Sequence, residues 1–357
     1  GGRDAGRDAT FFAWAGPPVP PSPGYGRGAT QRILAGLIAQ VVAVGGGTCW
    51  RHLACCSVRL GRGRNNAATE PLEPSMMGGQ MSATGEKKAT SHRFGLIGHP
   101  VNHSFSADLF NYKFQALGLK NCSYGLYDLP KMSGFSELLA SRQDWVGFNV
   151  TVPHKVEIMS VLDDLSEEAR AIGAVNTLVR CKDDAGAKSG KEAIGSCWRG
   201  HNTDAQGFQK SIAPFLEGRH ERALVLGSGG SSRAVVYALD KLGIAATVVS
   251  RNVGQESAAA GQCTYSDLTP DVLAHFPLIV NCTPVGMWPK VEAMVDLPLD
   301  GVSEQHLVVD LVYNPEQTKL MLEARSRGAT VLGGRSMLHL QAEAAWELWK
   351  PGLNLGA

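Results

Sequence analysis

The chain has 357 residues, 44% of them apolar and 19% charged, with a formal net charge of +1. That length and soluble composition accommodate two domains, and the near-zero charge removes any electrostatic case for a nucleic-acid or anionic-membrane partner. Eight cysteines lie at positions 49, 55, 56, 122, 181, 197, 263 and 282, with no C-x-x-C pair. Such spacing gives neither a zinc site nor a disulfide framework; it predicts reduced thiols in a reducing compartment.

The first stretch differs in kind from the rest. Residues 1–69 carry eight arginines, no lysine and two acidic residues, and no amphipathic period emerges. The apolar run "ILAGLIAQVVAV" (33–44) has twelve residues, short of the roughly 20 that a spanning helix takes. Three readings stay open: a transit or signal-like leader, a disordered extension, or an over-extended start with Met76, Met77 or Met81 as the true first residue. Domain-like patterning begins near Arg93, so residues 1–90 are set apart as leader or over-extended start. The expected location is cytoplasmic, or plastid if residues 1–80 are a genuine transit peptide.

From "RFGLIG" (93–98) onward, strand-like and helix-like segments alternate. "SADLFNYKFQALGL" (106–119) places Phe110, Phe114 and Leu117 at helical spacing. Strand-like "SYGLYDL", helical "SGFSELLASR" and strand-like "WVGFNV" follow. In "GFNVTVPHK" (147–155), Phe148, Val150 and Val152 alternate with residues of the opposite face, Asn149 and Thr151 among them. Pro153 stops the strand and Lys155 follows. That lysine reads either as a solvated turn residue or as a placed catalytic amine. "CKDDAGAKSGKEAIGS" (181–196) is polar and Gly-rich, the composition of a hairpin or loop. This alternation predicts a parallel α/β sheet.

A second α/β pattern starts at "RALVLGSGGSSRAVVYALDKLGI" (222–244): a strand, a glycine turn, then a helix. "AATVVSRN", "PLIVNCTP" and "HLVVDLVY" supply further strands, and "SMLHLQAEAAWELW" (336–349) a closing helix. A glycine turn that ends a strand and opens a helix is the setting of a dinucleotide fingerprint. Gly227 permits the tight turn, and Gly229 allows backbone to approach a pyrophosphate at the helix N-terminus. Ser232 replaces the third glycine. The next strand ends in Arg251, where an NAD enzyme carries an acid. A guanidinium suits a 2′-phosphate, so the predicted cofactor is NADP.

The first half contains "GHPVNHSFS", "GFNVTVPHK", "AIGAVNTLV" and "GHNTDAQGF" in that order; the second adds "NCTPVGM", "DLVYNPEQT" and "MLHLQAEAAWELW". Together these motifs resemble the shikimate dehydrogenase family over residues 93 to about 350. The resemblance implies an α/β protein of two domains: an N-terminal substrate domain (91–203) and a Rossmann-like NADP domain (204–337). A C-terminal helix (338–357) returns to the first. It implies reversible reduction of 3-dehydroshikimate to shikimate with NADPH, a step toward chorismate and the aromatic amino acids.

Residue by residue, the resemblance implies Lys155 and Asp204 as the catalytic pair, and Ser104 and Ser106 on the substrate carboxylate with Tyr313 nearby. Asn149 and Thr151 would lie beside the ring, with Asn176 and Gln341 on ring hydroxyls. Gly227, Ser228, Gly229 and Gly230 would hold the cofactor pyrophosphate, Ser250, Arg251 and Asn252 its adenosine end, and Gly334 and Met337 the nicotinamide side. Two positions depart from the family pattern: Ala107 stands for a common proline, and Asn252 for a threonine. Residues 1–90 have no counterpart in the monofunctional enzyme.

Bland readings stand beside these. Asn149 and Thr151 are equally the wet face of an edge strand, and Ser104 and Ser106 equally a helix cap. His99, His103, His154 and His201 read as structural, Asp310 as structural and Cys282 as a packing residue; no metal is expected. A small-molecule substrate is expected, on a monomer or homodimer. The alternatives are a quinate/shikimate dehydrogenase using NAD or NADP, a non-catalytic ligand sensor on the same scaffold, and a methylene-tetrahydrofolate dehydrogenase. The serine pair and closing helix argue against the last.

Overall fold

The computed structural model describes residues 91–102, 104–141, 144–181, 197–251 and 261–353. The reading of residues 1–90 as a leader therefore lies outside the described residues, as do His103 and Asn252. Among the described residues no helix is long and apolar enough to cross a membrane.

The first lobe is a six-stranded sheet in the order β2-β1-β3-β5-β6-β4. Its strands are β1 (His92–Gly98), β2 (Cys122–Asp128), β3 (Trp145–Val150), β4 (Asp164–Leu165), β5 (Thr177–Arg180) and β6 (Trp198–His201). β1 runs parallel to β2 and β3, but β5 is antiparallel to both β3 and β6. The sheet is thus mixed where alternation predicts a parallel one, because β5 and β6 pair as a hairpin and hairpin strands must oppose. That pairing also corrects the cysteine reading. Cys181 and Cys197 sit opposite each other where the chain leaves β5 and enters β6, with Cα atoms 5.1 Å apart, and are joined as a disulfide. A separation of 16 residues hides the pair until the strands fold back on each other.

Alternation along the strands sorts the lobe's apolar side chains to two faces. Ile97, Phe148 and Val150 pack with Met132 and Phe135 of α2 (Ser133–Ala140) and its approach. Phe94, Leu96 and Tyr124 pack on the other face with Phe110 and Phe114 of α1 (Ser106–Ala116). α1 ends earlier than its periodicity predicts: Leu117 falls past the last turn and is 52% exposed.

The second sheet, order β12-β11-β10-β7-β8-β9, is parallel throughout. It comprises β7 (Arg222–Leu226), β8 (Ala245–Ser250), β9 (Gly261–Thr264), β10 (Leu278–Asn281), β11 (Leu307–Asp310) and β12 (Thr330–Gly333). Its central strands are apolar on both faces, as a sheet covered on both sides requires. Strand order reverses at β7, which pairs with β8 on one side and β10 on the other. Open α/β sheets bind ligands beyond the carboxyl ends of their strands at such a switch point.

Helices tie the lobes together. α3 (Glu167–Ile172) lies between β4 and β5 and α4 (Asp204–Ile212) follows β6, and Ile172, Phe208 and Ile212 are buried against the second sheet. α5 (Gly230–Lys241), α6 (Pro270–Ala274) and α7 (Lys319–Ser326) flank the second sheet. α8 (Arg335–Trp349) starts against the second core through Met337 and ends in the first. There Trp349 is fully buried, its ring 5.0 Å from that of Phe94, its indole nitrogen donating to the Leu178 carbonyl at 2.9 Å.

Candidate active site

The stretch "GFNVTVPHK" leaves the sheet sooner than its pattern predicts. β3 stops at Val150, and Val152 is 61% exposed rather than buried. The Thr151 amide still donates to the Ile97 carbonyl, and the His154 amide donates back to Thr151, closing a turn. His154 is buried, with Nε2 2.5 Å from the Leu129 carbonyl, and pins that turn to the lobe. Lys155 is thereby carried inward: its side chain is 12% exposed, which sets aside the solvated-turn reading.

Lys155 Nζ donates to Asp204 Oδ2 at 2.6 Å and to Ser231 Oγ at 3.1 Å. Asp204 opens α4 and is held there by Asn202, whose Oδ1 accepts from the Asp204 and Ala205 amides. Asn202 is itself anchored through Nδ2 to the Ala174 carbonyl. The other carboxylate oxygen of Asp204 accepts from Asn176 Nδ2 at 2.9 Å. An ion pair this enclosed is stable only when its remaining lone pairs are satisfied, and Asn176 meets that need.

Asn176 is the hub of a buried polar network. Its Oδ1 accepts from the Thr203 amide at 2.7 Å and from Thr177 Oγ1 at 3.0 Å. Its Nδ2 also lies 3.3 Å from Gln341 Oε1 on α8. Asn149 joins through Nδ2, which donates to Thr177 Oγ1 and to the Asn176 carbonyl. Asn149 is buried on a central strand between β1 and β5, so the wet-edge reading fails for it.

At the other end, Ser104 Oγ accepts from the Ser106 amide at 3.2 Å and donates to Ser106 Oγ at 3.1 Å. The capping reading is only half met: α1 begins at Ser106, and its N-cap, Phe105, makes no side-chain cap bond. Tyr313 lies beside this pair, its ring 5.6 Å from Phe105. Burial raises its phenol, and a hydrogen bond with Ser104 works against that rise.

Ser104, Ser106, Asn149, Thr151, Lys155, Asn176, Asp204, Tyr313 and Gln341 all line one cavity of about 150 Å³. Gly334 and Met337, expected on the nicotinamide side, line it too. Several contributors escape sequence reasoning. Tyr124 donates to Asn149 Oδ1 at 2.8 Å, and burial pushes its phenol well up against an opposing bond from Ser106. Thr177 and Thr203 knit Asn176 in place, and Ser231 reaches Lys155 from the second lobe. The available signals were a tyrosine on the apolar face of a strand and threonines inside "VNT" and "NTD".

Gly227, Ser228 and Gly229 link β7 to α5 at the switch point, Gly230 opens α5, and all four lie outside the residues lining that cavity. Gly227 has φ +99°, a left-handed value that favours glycine. A side chain at Gly230 would meet Lys155 Cβ at 2.8 Å, so the turn presses directly on the lysine. A side chain at Gly229 would meet nothing within 4 Å, leaving the amides that open α5 accessible to an anion. Ser250 ends β8, and exposed Arg251 follows, its charge opposing the burial-driven rise of the Tyr265 phenol. An open glycine turn with an exposed cation one strand away fits a dinucleotide with a 2′-phosphate.

His99 and Asp310 have structural partners. His99 Nδ1 lies 2.7 Å from Asp128 Oδ1. Asp310 is buried and accepts from Asn281, the Val312 amide and Thr318; burial raises its carboxyl. Burial and the Asp310 charge push the Cys282 thiol up, away from reactivity at neutral pH. Among the described residues no group of three or more His, Cys, Asp or Glu could hold a metal.

Fold and site together define a two-lobed, nucleotide-dependent oxidoreductase with a buried lysine–aspartate pair in its cavity. The sequence model of the shikimate dehydrogenase substrate binding domain matches residues 96–178. A shikimate dehydrogenase (NADP(+)) of Shouchella clausii is 36% identical over 272 residues, 72% of this chain and 93% of that one. One from Methanopyrus kandleri is 35% identical over 75% of this chain and 93% of its own length. Among solved structures, the Thermus thermophilus shikimate 5-dehydrogenase in complex with NADP(H) and shikimate superposes with a TM-score of 0.61. It is 32% identical, covering 73% of this chain and 94% of its own. The chain belongs to the shikimate dehydrogenase family.

Proposed function

We propose that this chain catalyses the reversible, NADP-dependent reduction of 3-dehydroshikimate to shikimate. The observation that carries the reading is the Lys155–Asp204 pair, 2.6 Å apart, in a cavity whose other polar side chains are all neutral hydrogen-bonding groups. NADPH, when bound, supplies the hydride that a ring ketone needs. The chain's own task is to hold the ring and move one proton at the carbonyl oxygen. Lys155 and Asp204 form the proton-moving pair, the carboxylate orienting the ammonium. Ser104, Ser106 and Tyr313 receive the substrate carboxylate; Asn149, Thr151, Asn176 and Gln341 receive the ring hydroxyls. A site built to bond hydroxyls discriminates strongly against analogues that lack them. Gly227, Ser228, Gly229 and Gly230 carry the pyrophosphate, Ser250 and Arg251 the adenosine end, and Gly334 and Met337 the nicotinamide side. On this reading residues 91–203 bind substrate, residues 204–337 bind cofactor, and α8 returns to the first lobe.

The test is a steady-state assay of shikimate and of quinate, each with NADP⁺ and NAD⁺. Shikimate with NADP⁺ should give the highest kcat/KM. A preference for quinate would overturn the substrate assignment, and a preference for NAD⁺ the role given to Arg251.

A further inference from the structure

Ser231 belongs to the first turn of α5, immediately after the glycine turn, and lines the cavity. Its hydroxyl oxygen is 3.1 Å from Lys155 Nζ, the reach of a hydrogen bond donated by the ammonium. Lys155 comes from the first lobe and Ser231 from the second, so this bond crosses the cleft. The close approach depends on Gly230, where any side chain would meet Lys155 Cβ. A lysine ammonium has three protons to donate and no acceptor capacity. Asp204 Oδ2 takes one and Ser231 Oγ a second. One N–H direction is left, and in a staggered ammonium the other two fix where it points.

We propose that Ser231 is a positioning residue for proton transfer: it fixes the direction of the remaining Lys155 proton and links the nucleotide-binding turn to the lysine. The inference rests on the reaction proposed above for its kinetic consequence, but the contact itself is independent of the substrate. With Asp204 alone the ammonium swings about one bond; with Ser231 as well it is held from both sides of the cleft. A nucleotide seated on the turn would then bear on the geometry of the proton-transfer pair without touching it.

Two measurements on the full chain test this. In steady state, Ser231→Ala should lower kcat about 3- to 10-fold, the range of a positioning loss rather than removal of a general acid. KM for shikimate and for NADP⁺ should stay within about twofold of wild type, and Ser231→Thr, which keeps the hydroxyl, should restore kcat. The second measurement needs no turnover: trace labelling with acetic anhydride, read by mass spectrometry at Lys155 against exposed Lys290. Ser231→Ala should label Lys155 several-fold faster, because its nitrogen has lost a partner, with Lys290 unchanged. An unchanged Lys155 rate overturns the inference whatever happens to kcat. A loss confined to KM for NADP⁺ also overturns it, since Ser231 would then be a cofactor ligand. A wild-type chain inactive on shikimate would sink the proposed reaction, and the labelling result would still decide the role of Ser231.

Discussion

The two lobes prepare their halves of the site in opposite ways. The first lobe builds with side chains that bond one another: Asn149, Asn176, Thr177, Thr203 and Asp204 come from separate segments and are mutually satisfied. The second lobe offers backbone and space: a glycine turn with nothing beside Gly229, and an exposed arginine a strand away. On the function proposed above, the difference follows from the ligands. A polyhydroxylated ring is recognised by several directional bonds, so its partners must be fixed beforehand. A pyrophosphate is recognised by charge and amide groups that any helix N-terminus supplies.

The strongest test of this contrast removes what holds the first lobe's frame. Trp349→Ala empties a fully buried position among Phe94, Phe110 and Tyr124 and leaves the Leu178 carbonyl without its donor. Large aromatic deletions of this kind cost about 3–5 kcal/mol. Chemical denaturation should show a loss of that size; one under about 1 kcal/mol would mean that α8 is not bound to the lobe as described.

Lys155→Ala strikes the chemistry itself. Turnover should fall at least about 10²-fold, the contribution of a positioned proton donor, while NADPH binding, followed by fluorescence titration, persists. Near wild-type turnover would contradict the assignment of the pair. Arg251→Ala probes the opposite lobe. NADP⁺ affinity should drop by about 1.5–3 kcal/mol, one charge-assisted contact, with NAD⁺ affinity little changed. Equal losses for both cofactors would turn Arg251 into a packing residue.

The smallest effect is a difference in acid sensitivity. Burial lowers the imidazoles of His201 and His339, on the elements of the first lobe, and of His220 before β7. A histidine with a depressed folded value contributes its stability fully above the unfolded value of about 6.5. That contribution is lost as pH falls through 6.5 toward the folded value. Asp310 runs the other way: with a raised folded value, it stabilises most when protonated and loses that contribution as pH rises through the folded value. Melting temperature should therefore fall between pH 7.5 and 5, and His201→Gln with His339→Gln should flatten the fall. An unaltered slope in the double variant would place the acid sensitivity elsewhere.

The same contrast explains what was legible in the sequence. The glycine turn is contiguous, so strand, Gly227 and helix can be read from one segment. The four central strands of the parallel second sheet are also legible, since they are short apolar runs set off by turns, whereas β9 and β12 at its edges are only partly buried and give no such run. In the first lobe the motifs around Lys155, Asn176 and Asp204 stand out only jointly, through their resemblance to a family. What they do not carry is the bonding between them. Tyr124 looks like any strand aromatic until its hydroxyl is found on Asn149. Ser231 looks like a glycine-turn filler until the lobes meet. Val152 obeys the alternation of a strand that has already ended, and Leu117 that of a helix one turn too long. The Cys181–Cys197 pair depends on a register that no spacing encodes.

α8 serves both lobes along a single rod, and this makes its phase a shared quantity. Met337 faces the second core, Gln341 the hydroxyl network and Trp349 the first core. Each added residue turns everything beyond it by about 100° and advances it by about 1.5 Å. One residue inserted after Leu338 would leave Met337 seated and swing both Gln341 and Trp349 out of place. One inserted after Ala344 would spare the network and unseat Ala345, Trp346 and Trp349 from the first core. The helix therefore tolerates substitution at its exposed positions far better than any change in length. In this fold, insertions and deletions belong in the connections, and the final helix is read as a ruler.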